Sequence, residues 1–219
     1  MRAAVERILD DAAEPAIRGY LHRPNSPTGD ALVLAHGAGS NSQAPLLIAI
    51  ASAFADAGFF VLRIDLPFRQ QRPHGPPFPT MAAKDRQGIR RAADLLRQSG
   101  KGRLFLGGHS YGGRQASMLA ADEPKLADGL LLLSYPLHPP RKPEQKRDAH
   151  FPKLQTAALF VSGSRDPFGS PEEMEAALRL IPARTELILR ERAGHDLAKG
   201  AAAGELASDV VEGFRKFFG

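Results

Sequence analysis

Three residues carry the chemistry this sequence can offer, and each sits in a short polar stretch after an apolar run. Ser110 lies in Gly107-Gly108-His109-Ser110-Tyr111-Gly112-Gly113, after Leu104-Phe105-Leu106. Asp166 ends Gly163-Ser164-Arg165-Asp166, and His195 lies in Ala193-Gly194-His195-Asp196. A serine hydroxyl is a weak nucleophile until a neighbouring base takes its proton. In the expected arrangement His195 accepts that proton and returns it to a leaving group, while Asp166 fixes the imidazole tautomer and stabilises its charged form. Gly108-x-Ser110-x-Gly112 further matches the pattern of a sharp strand-to-helix turn that lifts a serine above a sheet. Separately, each residue has an ordinary explanation: Ser110 as a helix cap, Asp166 before Pro167 as a turn initiator, His195 in a solvated turn. The order Ser, Asp, His, each just past a strand, favours the joint reading. Asp196 and Asp65 are poorer acids for it, one adjacent to His195 and the other on an earlier strand.

An attacked carbonyl would need two donors for its developing negative charge. Tyr111 N–H, at the start of the helix after Ser110, is one. His36-Gly37-Ala38-Gly39 supplies the second, with Ala38 N–H preferred and Gly39 next. The same glycine-rich stretch, followed by Asp65, resembles a dinucleotide-binding turn. It lacks the third glycine, however, and that reading leaves His36 unexplained.

The elements that must position these groups follow from hydrophobic patterning. Short apolar runs at 31–35, 59–64, 103–106, 130–133, 157–161 and 186–189 read as strands. Helical spacing covers 44–57, 81–99, the stretch after Ser110, 171–181 and 201–218. Continuous apolar strands alternating with helices indicate an α/β class, a doubly wound and mostly parallel sheet covered on both faces. With 219 residues, 43% of them hydrophobic, one domain over 1–219 is expected. Loops 66–80 and 135–153 leave from the carboxyl ends of strands, where such sheets bind ligands. From the first, Arg69, Arg72 and His74 are candidates to receive a carboxylate or phosphate; from the second, Tyr135, Leu137 and His138 are candidates to line the pocket.

Composition narrows the function further. The net charge is +5, but the arginines are scattered, and the one dense basic run, Arg141-Lys142 and Lys146-Arg147, has no interleaved aromatics, so nucleic acid is not an expected partner. The absence of cysteine excludes disulfides, thiolate metal sites and a cysteine nucleophile. The histidines show no paired ligand spacing, and neither a metal nor another cofactor is expected. No apolar run reaches signal-peptide or membrane-span length, and Asp10 and Asp11 interrupt the start. A soluble, cytoplasmic protein without a membrane partner is the expectation.

The segments "LAHGAGSNSQ", "FFVLRIDLPF", "FLGGHSYGGRQASMLA", "LLLLSYPLHPPRKPEQKRDAH", "LFVSGSRDPFG" and "RAGHDL" together resemble the α/β-hydrolase superfamily. Within it they resemble the smaller family of vertebrate Tex and KANL proteins and bacterial predicted hydrolases related to dienelactone hydrolase. The resemblance spans about residues 31 to 198. It implies an eight-stranded type of sheet trimmed at its N-terminal end and no large lid. The residues then lead to a serine hydrolase acting on a small ester or thioester through an acyl-enzyme. An acyltransferase would use the same triad. A different class of answer is a non-catalytic interaction module presenting the basic loop 141–147, as the assembly-associated vertebrate relatives suggest. Dienelactone hydrolases use a cysteine nucleophile, which this chain lacks.

Overall fold

A computed structural model describes residues 3–219. The chain runs β1 (Ala4–Asp10), β2 (Ile17–Arg23), β3 (Ala31–Ala35), α1 (Pro45–Asp56), β4 (Phe60–Ile64), α2 (Pro67–Gln71), α3 (Ala82–Arg97), β5 (Leu104–His109), α4 (Tyr111–Asp122), β6 (Gly129–Leu133), β7 (Ala158–Gly163), α5 (Pro171–Leu178), β8 (Thr185–Arg190) and α6 (Ala202–Phe218). The strands form one sheet in the order β1-β2-β4-β3-β5-β6-β7-β8. β1 and β2 pair antiparallel, as do β2 and β4; every other neighbouring pair is parallel.

The apolar strands are continuous because both faces of the sheet are covered. Ala31, Val33 and Ala35 of β3 pack on one side with Ile89 and Leu96 of α3 and Ala116 of α4; Leu32 and Leu34 face the other side with Ile50 and Phe54 of α1 and Phe214 of α6. Along β6 the alternation repeats, Leu130 and Leu132 to the first layer, Leu131 and Leu133 to the second. Two buried apolar layers thus hold the sheet between helices, and the strand ends stay in register for the loops above.

The sheet has its full eight strands, which corrects the expected trimming at the N-terminal end. The β1–β2 hairpin escaped the patterning because β1 is a largely exposed edge strand. In β2 the inward positions Ile17, Gly19 and Leu21 include a glycine, and His22 is buried among the polar ones. His22 is held by Arg63 of β4, whose Nε donates to His22 Nε2 at 2.9 Å. Between β6 and β7 only one 3-10 turn forms, Phe151–Lys153, so no helical cap is inserted there. Among the described residues no helix is long and apolar enough to cross a membrane.

Candidate active site

β5 runs three residues beyond its apolar core, through Gly107, Gly108 and His109, and delivers Ser110 to the N-terminus of α4. Ser110 has φ 52° and ψ −117°, in the left-handed half of backbone space that side chains normally avoid. Two flanking glycines make this turn possible. A Cβ at Gly108 would lie 2.2 Å from the Ala35 carbonyl oxygen, and one at Gly112 would lie 2.5 Å from the Ala35 carbonyl group. The end of β3 therefore passes directly against the turn, and Ser110 N–H donates to Leu133 O at 2.8 Å on the other side.

The other two groups arrive from adjacent strand ends. Past β7, Asp166 N–H donates to Gly163 O at 3.1 Å, and past β8, Ala193 O receives Arg165 N–H at 2.9 Å, tying the two loops together. His195 Nε2 lies 2.9 Å from Ser110 Oγ, and His195 Nδ1 lies 3.0 and 2.9 Å from the two Asp166 carboxylate oxygens. Asp166 is buried and also accepts Phe168 N–H at 2.9 Å, so its carboxylate cannot turn away. The Phe168 ring stacks on His195 with centroids 4.1 Å apart, and His109 Nε2–H donates to His195 O at 2.9 Å. Burial holds the His109 pKa below its ordinary value, in keeping with a neutral ring in that place.

The loop after β3 stands across from Ser110. Ser40 N–H closes its turn on Gly37 O at 3.1 Å, and among the described residues neither Ala38 N nor Gly39 N donates a hydrogen bond. Tyr111 N–H belongs to the first turn of α4, where helix amides have no intrahelical acceptor. Three polar side chains fix the loop, two of them, His36 and Arg69, buried. His36 Nε2 accepts Leu66 N–H at 3.0 Å, so its proton resides on Nδ1, which donates to Gly37 O at 2.8 Å. Burial, the main cause, lowers the His36 pKa to about 4. Asp65 Oδ1 accepts Ser42 N–H at 2.7 Å, which occupies this carboxylate away from His195. Arg69 completes the set, as described below.

Around Ser110 lies a cleft of about 810 Å³. Its walls include Gly37, Ala38, Gly39 and Ser40 on one side; Pro76, Pro77 and Phe78 on another; and Arg114, Gln115, Met118, Pro136, Arg147 and Phe168 beyond the serine. A nucleophile aligned with a base, an acid behind the base and two free amides opposite are what acyl transfer requires.

A family model for the alpha/beta hydrolase domain matches residues 28–216. The chain belongs to that family. Its fold is also that of several solved structures, all of low sequence identity. A dienelactone hydrolase from Anabaena variabilis superposes with a TM-score of 0.80 at 22% identity, over 99% of each chain. Est1E from Butyrivibrio proteoclasticus, solved with ferulic acid bound, gives 0.75 at 17% identity over 96% of this chain and 98% of its own. XC6422 from Xanthomonas campestris, an α/β serine hydrolase without a lid, gives 0.71 at 14% identity over 99% and 95%.

Within this alpha/beta hydrolase the six candidate substrate contacts lie outside the cleft walls. Arg69 is 8% exposed and gives its guanidinium to four backbone carbonyls, Ser40 and Ala38 at 2.7 Å, Arg72 and Gly75 at 3.1 Å. That leaves it as a clamp on the loop and not an anion receptor. Arg72 lies over the Phe78 ring, 4.8 Å from its centroid, and His74 is exposed. Tyr135 is a core residue packed on Phe151 and Phe160, its hydroxyl donating to Arg147 O at 2.6 Å, and Leu137 is fully buried. His138 points at Glu173 of α5, with Nε2 3.1 Å from the carboxylate and Nδ1 2.8 Å from Pro139 O. Burial opposes its charged form, but the Pro139 carbonyl and the Glu173 carboxylate outweigh that and raise its pKa.

Among the cleft residues that sequence patterning missed are Arg114, Gln115 and Arg147. Arg147 belonged to a basic run that reads as the exposed contact surface of an interaction module, yet it turns inward while Arg141, Lys142 and Lys146 stay exposed. Arg114 and Gln115 did carry a signal, since residues four and five past Ser110 share or adjoin its helix face. A second Ser–His pair, Ser117 with His150, is not a second nucleophile. Ser117 Oγ donates to Arg114 O at 2.9 Å and therefore accepts from His150 Nε2–H at 2.8 Å, the reverse of the polarity a base needs.

Proposed function

We propose that this chain is a serine hydrolase that cleaves a small carboxylic ester or thioester, with Ser110, His195 and Asp166 as its triad and no cofactor. The observation carrying this reading is the unbroken relay from Ser110 Oγ through His195 to Asp166, every link at 2.9–3.0 Å, built on a serine held at positive φ. A nucleophile elbow is expensive in backbone strain, and a helix cap would not require it.

In the reaction Ser110 Oγ attacks the ester carbonyl as its proton passes to His195 Nε2. The tetrahedral oxyanion is met by Tyr111 N–H and Ala38 N–H, and Asp166 stabilises the imidazolium. Collapse expels the alcohol or thiol, which leaves with the proton from His195, and forms the acyl-serine. Water, deprotonated by the same nitrogen, then attacks; the acid departs and Ser110 regains its proton. Membership of the alpha/beta hydrolase family and the likeness to esterase structures support the class. The closer resemblance to bacterial hydrolases of the KANL and Tex type, and a single catalytic domain acting in the cytoplasm, belong to the same proposal.

The test is labelling of the purified protein with a fluorophosphonate, with the adduct located by peptide mass spectrometry. The expected result is one adduct on Ser110, absent in Ser110→Ala and His195→Ala. A folded wild-type protein that takes no label would overturn the reading and leave a binding module in its place.

A further inference from the structure

Two arginines face the cleft beside Ser110 with no carboxylate between them. Arg114 follows Ser110 by four residues, its backbone N–H donating to Ser110 O at 2.9 Å, so its side chain rises on the same helix face. Its Nε is buried and has no hydrogen-bond partner among the described residues. Arg147 is anchored by its backbone, N–H to Leu137 O at 2.7 Å and O from Tyr135 OH at 2.6 Å. Its guanidinium makes one long contact, Nη1 to Pro136 O at 3.4 Å. Gln115 is fully buried; Arg86 Nη1 donates to its Oε1 at 3.1 Å, which fixes the amide, and its Nε2 is left without a partner among the described residues.

Among the described residues, the acids near this cluster form no ion pair with Arg114 or Arg147. Asp196, on the cleft wall near His195, is paired with Lys199 at 2.9 Å. Asp85 accepts Tyr111 OH at 2.7 Å and Phe68 N–H at 2.9 Å. Asp122 approaches Arg86 at 4.0 Å, and Asp148, next to Arg147 in sequence, forms no ion pair with either arginine. Among the described residues neither Arg114 nor Arg147 has an acidic partner. The repulsion is felt: burial first, then the Arg114 charge, weakens the hold of Arg147 on its proton.

Two like charges and an orphaned buried amide donor destabilise a fold unless something else satisfies them. Planar guanidinium forks with a neighbouring N–H donor are matched in shape and charge by a carboxylate. We propose that Arg114, Arg147 and Gln115 form a recognition site for a carboxylate carried by the substrate. Resting on the serine-hydrolase reading above, this makes the preferred substrate a monoester or thioester of a short dicarboxylic acid. Because Arg114 stands one helical turn past Ser110, a short chain between the scissile carbonyl and the free carboxylate is the one that fits.

The experiment separates binding from turnover. Calorimetry on Ser110→Ala protein, which cannot turn substrate over, compares methyl hydrogen glutarate with dimethyl glutarate. The monoanion is expected to bind about 10- to 100-fold more tightly, and Arg114→Gln or Arg147→Gln in that background to erase the preference. Thermal unfolding of each variant checks the fold, and removal of either like charge is expected not to lower the melting temperature. In the protein with Ser110 intact, the ratio of kcat/KM for the monoanion to that for the diester is expected to fall in step. Equal binding of the two esters, or a preference that survives both substitutions, overturns the carboxylate site. If fluorophosphonate fails to label Ser110 while arginine-dependent binding of the monoanion persists, the site stands and the hydrolase reading falls. If Ser110 is labelled and the two esters bind and turn over alike, the hydrolase reading stands and the carboxylate site falls.

Discussion

Arg69 Nη2 donates to the Ala38 carbonyl at 2.7 Å while its Nε donates to Ser40 O at the same distance, so one buried guanidinium grips the loop that carries the proposed oxyanion donor Ala38 N–H. The peptide whose carbonyl it holds shares the Ala38 Cα with the peptide that carries the Ala38 amide, so a shift of the held peptide disturbs the donor next to it. Arg69 is therefore a positioning residue. Arg69→Met is expected to lower kcat by about 10- to 100-fold, less than the 100- to 1000-fold typical of losing a donor outright. KM for a neutral ester should change far less than kcat. Arg69→Lys should recover little, since one ammonium cannot span carbonyls that a planar fork reaches together. Steady-state kinetics on the three proteins checks this, and a change confined to KM would remove Arg69 from the oxyanion argument.

Asp166→Asn tests the relay from its far end. The Phe168 N–H contact can persist with an amide oxygen, so the loop keeps its shape. The imidazole, however, loses the acceptor that holds its proton on Nδ1. Single replacements of the orienting acid in such relays lower kcat by about 10⁴-fold with geometry intact. A fall of about 10³- to 10⁴-fold in kcat, with an unchanged melting temperature, is expected; a loss below tenfold would mean that Asp166 does not orient His195.

Gly112→Ala examines the turn itself. The new Cβ would meet the Ala35 carbonyl group at 2.5 Å and His36 O at 2.6 Å, and both are backbone atoms at the end of a central strand that cannot move aside cheaply. Overpacking of this kind typically costs 1–3 kcal/mol and occasionally more, so about 2–4 kcal/mol of lost stability is expected in urea unfolding. Fluorophosphonate labelling should slow together with it, because separating β3 from α4 also separates Ala38 from Ser110. Gly204→Ala is the control, on the exposed side of α6 with no atom within 4 Å of the added carbon.

The parts of this molecule that were legible before its structure are those where one face or one turn dictates residue type. The buried strands 31–35 and 130–133 declared themselves because both their faces are covered. Ser110, Asp166 and His195 did so because each follows such a strand. The hairpin of β1 and β2 did not, since Val5 and Leu9 lie on an exposed edge and Gly19 interrupts the alternation. Long side chains were the hardest to place. A loop that leaves the right strand end says nothing of which way its arginines turn, and Arg69 turned into the backbone while Arg147, from a run that read as an exposed contact surface, turned toward the serine. Arg69 meets four backbone carbonyls and Arg147 one, a difference set by the folded backbone that no local pattern encodes.

Acid should unfold this protein through histidines buried neutral. Burial, followed by the Arg63 charge, holds His22 at about 4 against an ordinary 6.5, and burial does the same to His36. Between these values the unfolded chain binds more protons than the folded one, so stability is complete above pH 6.5 and declines as pH falls from 6.5 toward 4. Each group contributes on the order of 3 kcal/mol over that window if fully realised. Below pH 4 both states carry the proton and these two terms no longer change. Urea unfolding at steps from pH 7 to 4.5 is expected to show the decline. In His22→Gln, whose amide oxygen can still accept from Arg63 Nε, the slope should be shallower by about one proton. An unaltered slope in that variant would show that His22 takes up its proton over the same pH range folded and unfolded, contrary to the environment drawn around it.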